Sequence, residues 1–82
     1  MEKPPGQKYL TLYIVPNCPL CAHARSWLEQ HGVDYVERNV AGDFAALRAM
    51  YKLTQQRLVP VFEVDARALV RPTDEELAAF LE

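Results

Sequence analysis

At 82 residues the chain makes one domain, because a second hydrophobic core could not be filled at this length. Apolar residues form 50% of it and charged residues 24%, a globular balance that excludes an intrinsically disordered chain. Nine Lys and Arg against eleven Asp and Glu give a net charge of −2 with no basic stripe, which argues against nucleic acid as a partner.

The apolar stretches are interrupted at Asn17, Arg25 and Arg57, well short of the roughly 18 residues that a membrane span needs, so no membrane partner is expected. The opening Met-Glu-Lys-Pro-Pro-Gly has no apolar core of a signal peptide. A cytoplasmic location follows as the expectation, with residues 1–7 a flexible lead-in and residues 8–82 the single domain, read as a monomer. Two cysteines are too few for the disulfide framework of a small secreted fold, so their spacing matters more than their number.

Lys8 to Val15 is rich in β-branched and aromatic residues and ends at Pro16-Asn17, which predicts a strand and a turn. Leu10, Leu12 and Ile14 share one of its faces, with Tyr13 on the other. From Leu20, the apolar positions Leu20, Ala24, Trp27 and Leu28 form a helical stripe that stops at Gly32. Residues 33–40 alternate between two faces and predict a second strand. Asp43 is placed to cap a second helix, in which Phe44, Leu47, Met50 and Tyr51 keep helical spacing to about Leu53. Residues 59–64 and 66–70 predict two strands joined by a tight turn near Asp65. Thr73 and Glu76 form a capping box for a last helix that buries Leu77, Phe80 and Leu81.

The order is therefore β-α-β-α-β-β-α. The first two strands, separated by a helix, must be parallel, and the tightly joined last pair antiparallel. An α/β fold follows, with a four-stranded mixed sheet flanked by three helices.

Cys18-Pro19-Leu20-Cys21 lies between a strand end and a helix start. A thiolate is the reactive form of cysteine, and a helix N-terminus offers unpaired N–H groups and a partial positive charge that favour it. Cys18 occupies that position and is the candidate nucleophile. Cys21, inside the first turn, is the candidate resolving thiol, and Pro19 suits the first helical position because it has no N–H to leave unpaired. A structural zinc site would need four ligands, and His23 and His31 do not supply the missing pair at the required spacing, so no metal is assigned. An iron–sulfur cluster would need thiols from a second chain or from glutathione. A non-catalytic metal or cluster module is the alternative from a different class. Pro60, read locally, is the proline at the start of a strand.

The run Leu-Tyr-x-x-Pro-x-Cys-x-Leu-Cys from Leu12 to Cys21, with Val59-Pro60 some forty residues on and an acidic amphipathic last helix, resembles the glutaredoxins. The resemblance is closest in pattern to small glutaredoxin-like proteins with Leu before the second cysteine. It implies a thioredoxin/glutaredoxin-like fold and a thiol–disulfide oxidoreductase. Cys18 and Cys21 are then the catalytic pair, and Pro60 a cis-proline beside them. Substrate would meet Pro19, Leu20, the Val59 backbone and Pro60, with Thr73 and Asp74 available to a γ-glutamyl amine. The partners implied are disulfide-containing proteins or glutathione, with no tightly bound cofactor and with glutathione as a co-substrate.

This chain departs from the glutaredoxins where they grip glutathione. Val15 and Pro16 stand where many have a basic residue, Leu20 replaces an aromatic, Leu58 a threonine, and Val70-Arg71-Pro72 a glycine pair. Arg57 is the candidate replacement for the missing cation. The Arg71-Pro72 step also resembles small redoxins reduced by thioredoxin reductase, so either glutathione or that reductase is an expected electron source. Among neighbouring residues, His23 is expected to project away from Cys18, Trp27 to pack in the core, and Arg25 to pair at the surface with Glu29.

Overall fold

A computed structural model describes residues 9–81; the expected lead-in over 1–7 lies outside them, as do Lys8 and the last residue. The elements follow the expected order: β1 (Leu10–Ile14), α1 (Pro19–Gln30), β2 (Val36–Asn39), α2 (Phe44–Thr54), β3 (Val61–Val64), β4 (Arg67–Val70) and α3 (Asp74–Phe80). The sheet order is β2-β1-β3-β4. β1 pairs in parallel with β2 and antiparallel with β3, and β3 is antiparallel to β4.

The central position of β1 explains why both of its faces are apolar. Leu10, Leu12 and Ile14 are buried, and so is Tyr13 on the opposite face, at 2% exposure. Its hydroxyl donates to Glu63 Oε1 at 2.8 Å across to β3, which gives the buried phenol its partner. β2 is shorter than the alternation of residues 33–40 implied. It is an edge strand that pairs with Thr11 to Ile14 of β1 and no further, which leaves four residues in the ladder, and Val36 remains exposed.

Each helix begins on a local signal, and α1 also ends on one. Pro19 opens α1, and Gly32, at φ 64°, takes the left-handed conformation just past its end. The Asp43 carboxylate accepts from the N–H groups of Ala45 and Ala46 at the start of α2. Thr73 Oγ accepts from Glu76 N–H at 3.1 Å while the Glu76 carboxylate accepts from Thr73 N–H at 2.9 Å, the reciprocal cap of α3. α2 packs on the two edge strands, β2 and β4, with Ala46 and Met50 buried. The outer positions Phe44 and Tyr51 are exposed, covered in part by the guanidinium groups of Arg48 and Arg57. In α3 Leu77 is buried, and Phe80 and Leu81 pack half-buried against the core.

The β3–β4 turn has positive φ at both central residues, Asp65 (52°) and Ala66 (64°). This matches the right-handed twist of a hairpin, but an alanine in that region is strained. Ala66→Gly is expected to stabilise the fold by about 0.5–1 kcal/mol, the relief of strain exceeding the entropy that glycine adds to the unfolded chain. A thermal melt checks this; a lower midpoint would contradict the strain argument.

Candidate functional site

Asn17, at φ 57°, turns the chain out of β1, a conformation that asparagine tolerates better than most residues. Cys18 follows with extended backbone and is the N-cap of α1. The Cys21 N–H donates to Cys18 Sγ at 3.2 Å, so sulfur takes the place that a serine or aspartate oxygen fills at an ordinary cap. Cys18 is half-buried, beside a shallow groove formed by Asn17, Pro19, Ala22 and Arg25, whereas Cys21 is fully buried. Both are free thiols.

Position separates the two acidities. Burial disfavours the Cys18 thiolate, but the Cys21 thiol, the N–H groups of Cys21 and Leu20 and the charge of Arg71 outweigh it, holding Cys18 below the ordinary thiol value. Burial and the hydrogen bond with Cys18 push Cys21 up to about 11, against weaker opposing effects of the Val15 backbone and Arg25. Such a pair offers one accessible, ionisable sulfur and one that keeps its proton.

The Val59–Pro60 peptide is cis. Pro60 and Leu20 line a single cavity of about 60 Å³, whose walls include Trp27 and Leu77 from the two flanking helices and Phe62 from β3. His23 and Asp74 also line it, and His23 Nε2 donates to Asp74 Oδ1 at 2.9 Å, linking α1 to α3. The Val59 side chain is buried, and its carbonyl accepts from Arg71 Nε at 2.7 Å.

The structure thus brings Leu20, Pro60 and Asp74 to one cavity, with the Val59 carbonyl held at Arg71. Pro19 lies in the groove at Cys18, and Thr73 engages its hydroxyl and N–H in the cap of α3. Arg57 lies over the Tyr51 ring, 5.8 Å from its centroid, and the cation acting on Cys18 is Arg71. Arg25 pairs with Glu37 of β2 instead of Glu29, which accepts from the Tyr35 hydroxyl. Sequence reasoning missed the pairing of His23 with Asp74. Among the described residues no group of three or more His, Cys, Asp or Glu could hold a metal ion, and no helix is long and apolar enough to cross a membrane.

Known proteins place these features in a family. Over 73 residues the chain is 30% identical to an uncharacterized glutaredoxin-like 8.6 kDa protein in the rubredoxin operon of Clostridium pasteurianum, covering 89% of this chain and 97% of that one. A 31-residue segment is 52% identical to the global transcriptional regulator Spx of Bacillus subtilis, covering 38% of this chain and only 24% of the regulator. Among solved structures, the glutaredoxin of Archaeoglobus fulgidus superposes with a TM-score of 0.83 at 17% identity, covering 94% of this chain and 89% of that one, a likeness of fold. The thioredoxin-like protein BC3987 gives 0.81 at 25% identity, with 88% and 99% covered. The glutaredoxin family model matches residues 10–69, from the first strand through the cysteine pair and the cis-proline into the last strand, and the chain belongs to that family.

Proposed function

We propose that this protein is a thiol–disulfide oxidoreductase that reduces protein disulfides or mixed disulfides with glutathione, using Cys18 as nucleophile and Cys21 as resolving thiol. The observation that carries this reading is the N-cap position of Cys18, its sulfur held by the N–H of a buried second cysteine in the same turn. The Cys18 thiolate attacks one sulfur of the substrate disulfide; that S–S bond breaks and the other half leaves as a thiolate that takes up a proton. Cys21 then gives up its proton and attacks Cys18, releasing the second half and leaving a Cys18–Cys21 disulfide. The substrate has gained two electrons, which an external dithiol reductant or two molecules of glutathione restore to the protein. Once Cys18 is in the mixed disulfide it carries no negative charge, and one of the effects that raise Cys21 is gone. The cycle needs no tightly bound cofactor, and we take the working form to be a cytoplasmic monomer.

A second reading, a redoxin reduced by thioredoxin reductase, is supported by the partners already engaged at the cavity. Asp74 is paired with His23 and the Val59 carbonyl with Arg71, both groups that glutathione would otherwise meet. NADPH consumption with a hydroxyethyl disulfide substrate tests both, in parallel reactions containing glutathione with glutathione reductase, or thioredoxin reductase alone. We expect turnover in at least one reaction, lost in Cys18→Ser. Turnover with thioredoxin reductase alone selects the second reading, and none in either overturns both.

A further inference from the structure

We propose that Arg71 is a specificity-determining residue that receives a carboxylate next to the substrate's disulfide, so that the exchange favours anionic disulfides; this rests on the thiol–disulfide reading above. Arg71 has φ 46°, an unfavourable conformation for a residue with a side chain. It is held there from both ends: its backbone N–H donates to the Pro60 carbonyl at 3.1 Å, and its Nε–H to the Val59 carbonyl at 2.7 Å. The Val59–Pro60 segment thereby fixes the guanidinium at the wall of the cavity that Leu20 and Pro60 also line.

Only one of its five N–H donors is used in this way. The four on the two Nη atoms make no hydrogen bond or ion pair with the described residues. Tethering through Nε leaves the paired Nη groups as the free part of the fork that recognises a carboxylate. Arg25, in the groove beside Cys18, is committed to Glu37, and Arg57 lies over the face of Tyr51. Asp74, the acidic residue of the same cavity, is paired with His23 and makes no ion pair with Arg71. Leu20, which stands between the two cysteines, and Pro60 line the same cavity as Arg71, so a carboxylate at the guanidinium lies beside the disulfide that Cys18 attacks. In the attack, the Cys18–sulfur bond forms as the substrate S–S bond breaks, and the departing half carries the electron pair as a thiolate.

The test is the rate of exchange of the reduced protein with two small disulfides of opposite charge, 3,3′-dithiodipropionate and cystamine, at one pH. Their rate ratio cancels the fraction of Cys18 that is thiolate, so it reads recognition and not acidity. The wild type should favour the dicarboxylate, less so as salt is added, and Arg71→Gln should lower the ratio by about tenfold or more, as for a lost charge-assisted hydrogen bond. Arg71→Lys, which keeps the charge, should retain most of the preference, and Arg57→Gln should leave it unchanged. A wild type that reacts with both disulfides, with a ratio indifferent to salt and to Arg71→Gln, overturns the assignment of Arg71 alone. A wild type that reacts with neither overturns the exchange reading and this inference with it.

Discussion

Cys18→Ser is expected to abolish disulfide exchange, lowering its rate by at least about a hundredfold, because no other accessible sulfur can replace the nucleophile. Cys21→Ser should instead react once and stop, accumulating a mixed disulfide that intact mass reads as the added half of the substrate. Equal trapping by the two variants would contradict the assigned roles. The asymmetry has a second readout in the pH dependence of alkylation by iodoacetamide. Cys18 should react with a midpoint below the value of about 8.5 for a free thiol, and Cys21 only in strongly alkaline solution, since its thiol is pushed up to about 11. In Cys21→Ala, which has no side-chain donor, the hydrogen bond from the Cys21 thiol, the largest of the effects that lower Cys18, is lost, and the Cys18 midpoint should move upward.

The raised Cys21 value also fixes the sign of a stability effect. Between the free thiol value and about 11 the unfolded chain releases a proton that the folded one keeps, so this residue's contribution to stability is full below that window and falls as pH rises through it. Cys18 acts in the opposite sense, its stabilised thiolate favouring the folded state as pH rises past its lowered value.

The features legible in the sequence are those written locally. The Pro16-Asn17 turn, Pro19 at the helix start, Gly32 past its end and the Thr73–Glu76 box each act within a few residues, and the cysteine pair lies on the helix they delimit. What escaped depends on elements distant in the chain. The partner of the buried Tyr13 hydroxyl, Glu63, follows from β3 lying beside β1, which the alternation of β1 does not encode. The exposure of Phe44 and Tyr51 follows from which side of α2 meets β2 and β4. Arg71 reaches the cis-proline segment because the hairpin returns beside it, and His23 meets Asp74 from 51 positions away. The cis peptide at Pro60 is implied by family resemblance alone, because its local sequence reads as an ordinary strand start.

Phe62→Ala should be the most damaging core substitution of an aromatic, and Phe44→Ala nearly silent. Phe62 is 1% exposed, lies opposite Leu12 on one side and Leu69 on the other, and walls the cavity between α1 and α3. Truncation removes its ring from the centre of the sheet and enlarges a space the surrounding backbone cannot close, a cost of about 3–5 kcal/mol. A domain of this size loses roughly 4–8 °C of melting temperature per kcal/mol, so the midpoint should fall by at least about 12 °C. Phe44 is 71% exposed, with only the Arg48 guanidinium over its ring, and its loss should stay within about 0.5 kcal/mol. Thermal melts of the two variants decide the point: comparable losses would mean that α2 turns its first residue toward the sheet, and that the apolar spacing of Phe44, Leu47, Met50 and Tyr51 marks its buried face after all. A large loss for Phe62 alone would leave Ala46 and Met50 as the packing face of α2, the arrangement in which this helix covers the edge strands while α1 and α3 frame the cavity beside Cys18.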